Sequence, residues 1–231
     1  MCLDDIVKME EFADLDAQCA RRDLFNQILK GRPNEIFRFA GICCQADSSG
    51  YRNRPENETT IQDIYAALFS DQSRNDLIIR DLVGTLSAGR SPLVLTGRTE
   101  HLDYLAERLR GICSHTFVMK GGMGAKQRRK LAESLAAVRL DEPRVILATG
   151  SYLGEGFDDS RLDTLFLVTP ISWKGTLQQY VGRLHRLHES KSEVQVYDYA
   201  DVSVPMLVRM YKKRLAGYAA FGYTVKESYG S

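Results

Sequence analysis

From Thr60 onward the chain alternates short apolar runs with segments whose apolar residues recur at helical spacing. The apolar runs predict strands over residues 92–96, 115–119, 144–148, 164–169 and 193–199. The periodic segments predict two amphipathic helices within residues 60–86 and further helices over 99–111, 125–138, 175–187 and 204–218. Strands that alternate with helices of this length form a largely parallel sheet covered on both faces. We therefore expect a three-layer α/β fold.

Composition limits the kinds of protein that this chain can be. With 231 residues and 44% hydrophobic content it can bury one sizeable core, and no segment approaches the length of a membrane span. The five cysteines show no Cys-x-x-Cys spacing, and the acidic start is unlike a signal peptide. The net charge of +1 argues against binding nucleic acid through overall charge alone. We expect a cytoplasmic protein with no metal site and no membrane partner.

The first 58 residues have a different pattern from the rest. Residues 1–30 show helical spacing, and the apolar run Ile36–Cys44 is compatible with a short strand. Residues 45–60 are rich in Ser, Asn, Arg and Glu, which is typical of an exposed linker. We divide the chain into an N-terminal helical extension with a linker, 1–58, and an α/β domain, 59–231. The pattern assigns no function to the extension.

One predicted helix carries an unusual polar face. Residues three and four apart on a helix are neighbours, so one face of segment 179–186 carries Gln179, Gly182, Arg183 and Arg186. Gly182 leaves this face bare enough for a nucleotide or another backbone to approach. Two guanidinium groups suit a polyphosphate, because each offers a planar fork of donors and keeps its charge. Arginines one turn apart are otherwise an ordinary solvated surface.

A loop rich in small residues follows the strand predicted over residues 144–148. A second apolar strand and Pro170 come next, before the helix with the arginines. Loops at the carboxyl edge of a parallel sheet are where α/β proteins place ligands. The loop therefore supplies four candidate site residues, Thr149, Gly150, Gly156 and Asp158. In an unrelated fold, Asp158 would belong to an ordinary solvated loop.

These segments resemble conserved motifs of the superfamily 2 helicases and translocases. Thr149, Gly156 and Asp158 match motif V, and the polar face of segment 179–186 matches motif VI. The resemblance implies the second, C-terminal RecA-like lobe of a DEAD/DEAH-type helicase.

Two further features extend and refine this resemblance. Leu93–Arg98 is similar to the strand and loop of motif IV, so the resemblance covers about residues 60–222. The amino-acid sequences of two segments, Gly154–Asp159 and Ser172–Thr176, resemble those of a type III restriction-like branch of the superfamily. We expect a restriction-like, DNA-directed member of that branch.

The resemblance also implies roles for individual residues. Arg183 and Arg186 would act as arginine fingers that contact the γ-phosphate of ATP when two lobes close. Gln179 would position one of these groups or the attacking water. The residues that would contact the nucleotide are Gly156 and Asp158, near the ribose or the lobe interface, and Gly182.

The chain contains no P-loop of the form Gly-x-x-x-x-Gly-Lys-Ser/Thr. The nearest sequence, Gly121–Gln127, has the wrong spacing, and the acidic Asp141–Arg144 precedes a predicted strand rather than following one. ATP and Mg²⁺ would therefore be held mainly by a separate N-terminal RecA-like lobe, in the same polypeptide or in another. We expect negligible ATP hydrolysis by this chain alone.

By the same resemblance, one nucleic-acid strand crosses the ends of three predicted strands. Amides and hydroxyls at a helix start form a ready phosphate site, and such contacts do not read sequence. We expect DNA rather than RNA. A cluster of Lys and Arg within residues 120–130 adds positive charge, unless it is a solvated helix face. The candidate contacts are Thr96, Gly97, Arg98, Gly121, Gly122, Thr149 and Gly150.

Two other interpretations remain open. A non-catalytic nucleic-acid-binding or protein-interaction module could retain the RecA-like fold, although it would gain little from Gln179, Arg183 and Arg186. An unrelated α/β hydrolase or transferase would need a nucleophile with a base at a strand end, and Ser151 has no evident partner. The leading hypothesis is a motor lobe that is separated from its partner lobe by gene organisation or as a fragment.

Overall fold

The computed structural model describes residues 38–43, 60–150, 159–171, 175–186, 193–201 and 204–229, together with His188 and Lys191. The strands are β1 (Arg38–Cys43), β2 (Pro92–Thr96), β3 (His115–Met119), β4 (Arg144–Thr149), β5 (Thr164–Leu167), β6 (Gln195–Ala200) and β7 (Thr224–Tyr229). The helices are α1 (Ile61–Ser70), α2 (Gln72–Ser87), α3 (Thr99–Arg108), α4 (Ala125–Ala136), α5 (Gly175–Leu184) and α6 (Pro205–Ala220). Within these ranges, no helix has the length and apolar character needed to cross a membrane.

The strands form one 7-stranded sheet in the order β3-β4-β2-β5-β6-β1-β7, and each pair of neighbours runs parallel. At the centre, Leu93 of β2 lies opposite Ile146 of β4 and Leu165 of β5. The predicted parallel sheet is confirmed. Strand β1 comes from the first 58 residues and pairs with β6 and β7, so this part of the chain contributes to the sheet. The domain boundary between residues 58 and 59 stays a prediction.

Helices cover both faces because the central strands send alternate side chains into two separate cores. Leu93 and Leu95 of β2 pack with α4, α5 and α6 on one face. Val94 packs with α2 and with residues of α3 on the other face. Every residue of β2, β4 and β5 is buried, which is why these strands appear in the sequence as continuous apolar runs. The three predicted layers are confirmed.

Helix α1 begins at a capping box and packs against α6. Thr60 Oγ1 accepts from the Asp63 N–H at 3.2 Å, and the Thr60 N–H donates to Asp63 Oδ2 at 3.0 Å. These two bonds satisfy main-chain donors that the first turn of a helix leaves without partners. Ile64 and Leu68 then bury against Leu207 of α6. This packing places α1 beside the start of α6.

Three features differ from the sequence prediction. The helix predicted over residues 175–187 ends at Leu184, so Arg186 lies beyond the end of α5 and does not continue its polar face. Strand β7 was not predicted, because Thr224–Tyr229 contains Lys226 and Glu227 among few apolar residues. Charged residues are typical of edge strands, where they prevent pairing with other chains. The helix predicted over residues 99–111 ends at Arg108, and Gly111 follows with a φ of 79°. This left-handed conformation suits a glycine just beyond a helix end.

An ion pair is buried between β6 and α6. Arg214 donates from Nε and Nη2 to the two carboxylate oxygens of Asp198, at 2.6 and 2.8 Å. Each side chain is 1% exposed. The Tyr218 hydroxyl also donates to Asp198, at 3.2 Å, and Arg214 Nη1 donates to the Ile171 carbonyl oxygen at 2.7 Å. The pair therefore joins β6, α6 and the connection that follows β5.

Replacing the arginine of this pair should strongly destabilise the protein. Arg214→Met leaves the Asp198 carboxylate buried without its partner, and we expect the free energy of unfolding to fall by about 3–5 kcal/mol. Urea unfolding followed by circular dichroism measures this change. The control is Arg209→Met, an exposed position on the same helix, for which we expect a change within about 0.5 kcal/mol. Equal stabilities of the two variants would contradict the role assigned to Arg214.

Candidate nucleotide and nucleic-acid interface

The candidate site lies where the order of strands in the sheet reverses. Strands β2 and β5 are neighbours, yet the chain leaves β2 towards β3 on one side and leaves β5 towards β6 on the other. Open α/β sheets bind ligands outside the carboxyl ends of strands at such a switch point. Three threonines mark this edge, since Thr96 ends β2, Thr149 ends β4 and Thr169 follows β5.

A pocket of about 550 Å³ lies at this switch point. It is lined by residues at or just after the ends of β2, β4 and β5 and by residues of α1, α5 and α6. Among the described residues that line it, none carries a charge. Its apolar surface comes from Ile61, Leu95, Leu167, Ile171, Met206 and Met210. The polar atoms of its side chains belong to Tyr65, Thr96, Thr169 and Tyr180.

Thr96, a predicted nucleic-acid contact, is 3% exposed and its hydroxyl is bonded inside the protein. Thr96 Oγ1 lies 3.0 Å from His101 Nδ1, and His101 Nε2 lies 2.9 Å from Asn75 Oδ1. The Asn75 side-chain amide donates to the Phe69 carbonyl oxygen, which leaves Oδ1 as the acceptor. His101 therefore donates from Nε2, and its Nδ1 accepts the hydroxyl proton of Thr96.

Gly97 and Arg98, the next two predicted contacts, are also engaged within the protein. The Gly97 N–H donates to Thr169 Oγ1 at 2.8 Å, which ties the end of β2 to the segment after β5. A Cβ at position 97 would lie 3.2 Å from Thr169 Cγ2, so glycine permits this close approach. The Arg98 guanidinium lies 5.5 Å from the centre of the Phe69 ring and donates to a main-chain carbonyl of α1 at 3.3 Å. A phosphate would have to replace the Gly97 bond to reach that N–H, whereas no side chain caps the first turn of α3.

The ends of β3 and β4 are joined to each other and to α5. The Gly121 N–H donates to Thr149 Oγ1 at 3.0 Å. Gly122 follows with a φ of 82°, a conformation that other residues rarely adopt. The Tyr180 hydroxyl donates to the Gly150 carbonyl oxygen at 2.5 Å. The structure thus brings four predicted nucleic-acid contacts, Gly121, Gly122, Thr149 and Gly150, to one edge of the sheet.

Helix α5 places Arg183 close to this edge. Burial raises the pKa of the Tyr180 hydroxyl, and the positive charge of Arg183 partly offsets the increase. Arg183 follows Tyr180 by three residues on the same helix, and the Tyr180 hydroxyl is bonded to Gly150 at the carboxyl end of β4. Gly182 and Arg186 are exposed, and Arg183 is half-buried. Within the described part of the protein and apart from the adjoining residues and backbone of α5, no atom comes within 4 Å of the point where a Cβ on Gly182 would lie.

The carboxyl end of α5 is held by residues that the motifs did not point to. Lys191 Nζ donates to the carbonyl oxygens of Leu184 and Arg186, both at 2.8 Å. A buried cation at this position also complements the negative end of the helix dipole. His185 Nε2 lies 2.8 Å from the Tyr223 hydroxyl, and burial, together with the charge of Lys191, lowers the pKa of His185 to about 3. Lys191 lies seven residues beyond Leu184, so no helix-capping pattern in the sequence pointed to it.

Several predicted site residues lie outside the described part of the chain. Gly156 and Asp158 belong to the undescribed segment 151–158, and the side chain of Gln179 is likewise not described, although α5 includes the residue. Their roles stay predictions. In the ranges that the structure does describe, no group of three His, Cys, Asp or Glu side chains is arranged to hold a metal ion.

The basic cluster around the start of α4 is partly neutralised. Lys120 pairs with Asp103 at 2.7 Å, and Arg129 pairs with Glu133 at 2.8 Å. Both pairs are exposed, and such pairs are weak in water. The cluster therefore keeps cations that an approaching phosphate could contact, beside the Gly121 end of β3.

Comparison with curated proteins finds relatives among poxvirus proteins, whereas no family model matches the chain. Transcript termination protein A18 of Fowlpox virus (strain NVSL) is 25% identical over 158 residues, which cover 66% of this chain and 33% of the viral protein. Transcript termination protein OPG145 of Monkeypox virus is 26% identical over 136 residues, or 58% of this chain and 27% of that protein. The chain thus spans about one third of the length of the viral relatives it matches.

Solved structures share the fold at low sequence identity. T4 UvsW superposes with a TM-score of 0.64 at 16% identity, over 84% of this chain and 42% of that chain. The C-terminal domain of the DEAD-box protein Dbp5 gives a TM-score of 0.56 at 13% identity, over 85% of this chain and 91% of that domain. The chain therefore has the RecA-like fold of helicase C-terminal lobes, as its motifs predicted. The type III restriction-like branch stays a prediction.

The buried histidine behind Thr96 predicts a pH-dependent stability. Burial, with a smaller contribution from the charge of Arg74, lowers the pKa of His101 from 6.5 to about 4. Between these values the unfolded chain binds a proton that the folded protein does not bind, so stability falls as the pH falls. This histidine contributes up to about 1.4 kcal/mol per pH unit. We expect His101→Gln to reduce the slope of unfolding free energy against pH, measured by urea unfolding from pH 7 to about 4.

The matched control is His115→Gln, which removes a half-exposed histidine from the opposite end of the sheet. It leaves the His101 bonds in place, and the steep acid dependence should persist. A His101→Gln variant with the slope of the parent protein would show that this ring is not buried as a neutral group.

Proposed function

We propose that the chain is the C-terminal motor lobe of a nucleic-acid-dependent ATPase, a helicase or translocase whose other RecA-like lobe holds the nucleotide. One observation carries the proposal: Tyr180 bonds the arginine-bearing helix to Gly150, at the edge where the candidate nucleic-acid contacts lie. The fold supports it, because the structures that share the fold include S. cerevisiae Dbp5 bound to RNA and ADP BeF3, at a TM-score of 0.54.

In this proposal the chain's own contribution to ATP hydrolysis is electrostatic. Arg183 and Arg186 contact the γ-phosphate and stabilise the charge that develops on it in the transition state. The exposed main chain at Gly182 admits the phosphates, which makes the α5 surface compatible with ATP. Mg²⁺, held with ATP by the other lobe, supplies further charge stabilisation. Lys191 donates to the carbonyl oxygen of Arg186, and this bond holds the main chain that carries the Arg186 side chain.

The hydrogen bonds at the carboxyl edge offer a physical route of coupling. Tyr180 links α5 to Gly150, and the adjacent Thr149 accepts from Gly121. A displacement of α5 when the lobes close on ATP would therefore be transmitted to the ends of β3 and β4. We propose that ATP binding changes, through these bonds, the contacts that the ends of β3 and β4 make with one nucleic-acid strand.

Loss of either arginine should abolish most turnover. In the two-lobed protein, or in a mixture of this chain with a P-loop lobe, we expect Arg183→Ala or Arg186→Ala to lower kcat about a thousandfold. Phosphate release in the presence of single-stranded nucleic acid measures the effect. The control is Arg139→Ala, because Arg139 is exposed, pairs with Asp141 and lies ahead of β4, at the opposite edge of the sheet.

The same assay separates the competing interpretations. Thr149→Ala should weaken the stimulation of hydrolysis by single-stranded DNA, since it removes the bond that joins β3 to β4. Normal ATP turnover in Arg186→Ala would contradict the motor proposal and favour a non-catalytic module that retains the RecA-like fold. If RNA rather than DNA stimulates ATP hydrolysis, the expected DNA substrate is wrong. This comparison is informative because the viral relatives are named transcript termination proteins.

A further inference from the structure

The pocket between β2 and β5 has polar atoms that are already bonded within the protein. Thr96 donates its hydroxyl proton to His101, and the Gly97 N–H donates to Thr169. The Tyr65 hydroxyl donates to the Pro170 carbonyl oxygen at 2.6 Å, and Tyr180 donates to Gly150. A phosphate needs cations or available N–H groups, and the described wall of this pocket provides no charged side chain.

The pocket instead presents aromatic and thioether surface. The walls include the side chains of Tyr65, Tyr180, Met206 and Met210. Burial raises the pKa of both tyrosines, so both remain neutral phenols. A phenol oxygen that donates its proton can still accept a hydrogen bond. The complementary ligand is therefore flat, uncharged and able to donate from an N–H group.

We propose that this pocket receives a nucleobase of the strand that the lobe binds. This inference rests on the proposed nucleic-acid function and specifies a base contact within it. The volume of about 550 Å³ falls within the range of about 300–1,000 Å³ that is usual for small-ligand sites. The base packs between aromatic and methionine side chains, and its amino group donates to a tyrosine oxygen. Stacking of this kind tolerates many sequences.

An apolar side chain of the other lobe is the alternative occupant. Two observations favour the base. The pocket offers the phenol oxygen of the half-buried Tyr65, whose acceptor capacity an apolar side chain would not use, whereas Tyr180 is 1% exposed. Its wall also includes Gly97 and Gly150, which are predicted contacts of the same nucleic-acid strand. A base turned inward from a strand at this edge enters the pocket directly.

The first experiment compares two strands that differ only in their bases. Fluorescence anisotropy measures binding of the chain to a labelled oligodeoxyadenylate and to a strand of the same length built from abasic sites. We expect the abasic strand to bind about tenfold more weakly, because a base stacked on aromatic side chains contributes a factor of about 5 to 150. Equal affinities would overturn the pocket proposal and leave the proposed function intact. Failure of both strands to bind would overturn both.

The second experiment observes the pocket directly. With ¹³C-methyl methionine, oligodeoxyadenylate should shift the methyl signals of Met206 and Met210 in the pocket wall, and leave that of Met119, which is 1% exposed in the core, unchanged. Unmoved Met206 and Met210 signals in the presence of saturating strand would overturn the proposal. Signals that move only after a P-loop lobe is added would assign the pocket to a protein side chain, which also overturns it.

A substitution that fills the pocket tests the same point. Met210→Trp should remove the tenfold preference for the base-containing strand while the abasic strand binds as before. Val208→Trp introduces the same side chain at a half-buried position of α6 that is not part of the pocket wall, and should keep the preference. If Met210→Trp retains the preference, the base is bound elsewhere. Should this variant fail to fold, the methyl signals of the parent protein still decide the question.

Discussion

The buried pair of Arg214 and Asp198 is the interaction on which the arrangement of the site depends. Burying two charges is costly unless their remaining donors and acceptors are satisfied. Here a bidentate contact, the Tyr218 hydroxyl and the Ile171 carbonyl oxygen provide these partners. Ile171 also lines the pocket and lies between β5 and α5. The ion pair thus ties the segment that follows β5 to β6 and α6, at a residue of the pocket wall.

The carboxyl edge of the sheet is organised by bonds between segments that are distant in sequence. Thr169 and Gly97 join β5 to β2, Thr149 and Gly121 join β4 to β3, and Tyr180 joins α5 to β4. Two of these bonds use the N–H groups of Gly97 and Gly121, which could otherwise be offered to phosphate. They order the edge, and they leave apolar and aromatic surface exposed in the pocket. This combination makes the pocket better suited to an uncharged ligand than to a phosphate.

The fold was largely predictable, and the interior of the site was not. Strands β2, β4 and β5 are buried on both faces, so each appears as a continuous apolar run, whereas the charged edge strand β7 carries no such signal. His101 and Asn75 are 26 positions apart, and His185 and Tyr223 are 38 apart. No periodic pattern relates such residues, because their contact arises only when separate helices and strands pack together.

The sequence by itself determined the parallel α/β architecture and the spacing that places Gly182 and Arg183 together on α5, since both follow from the local geometry of strands and helices. Tertiary structure decided that the Thr96 hydroxyl turns inward to His101, that Lys191 holds the end of α5 and that an uncharged pocket opens between β2 and β5. The reason is physical. Periodicity is a property of neighbouring residues, whereas burial and hydrogen-bond pairing depend on distances that exist only in the folded chain.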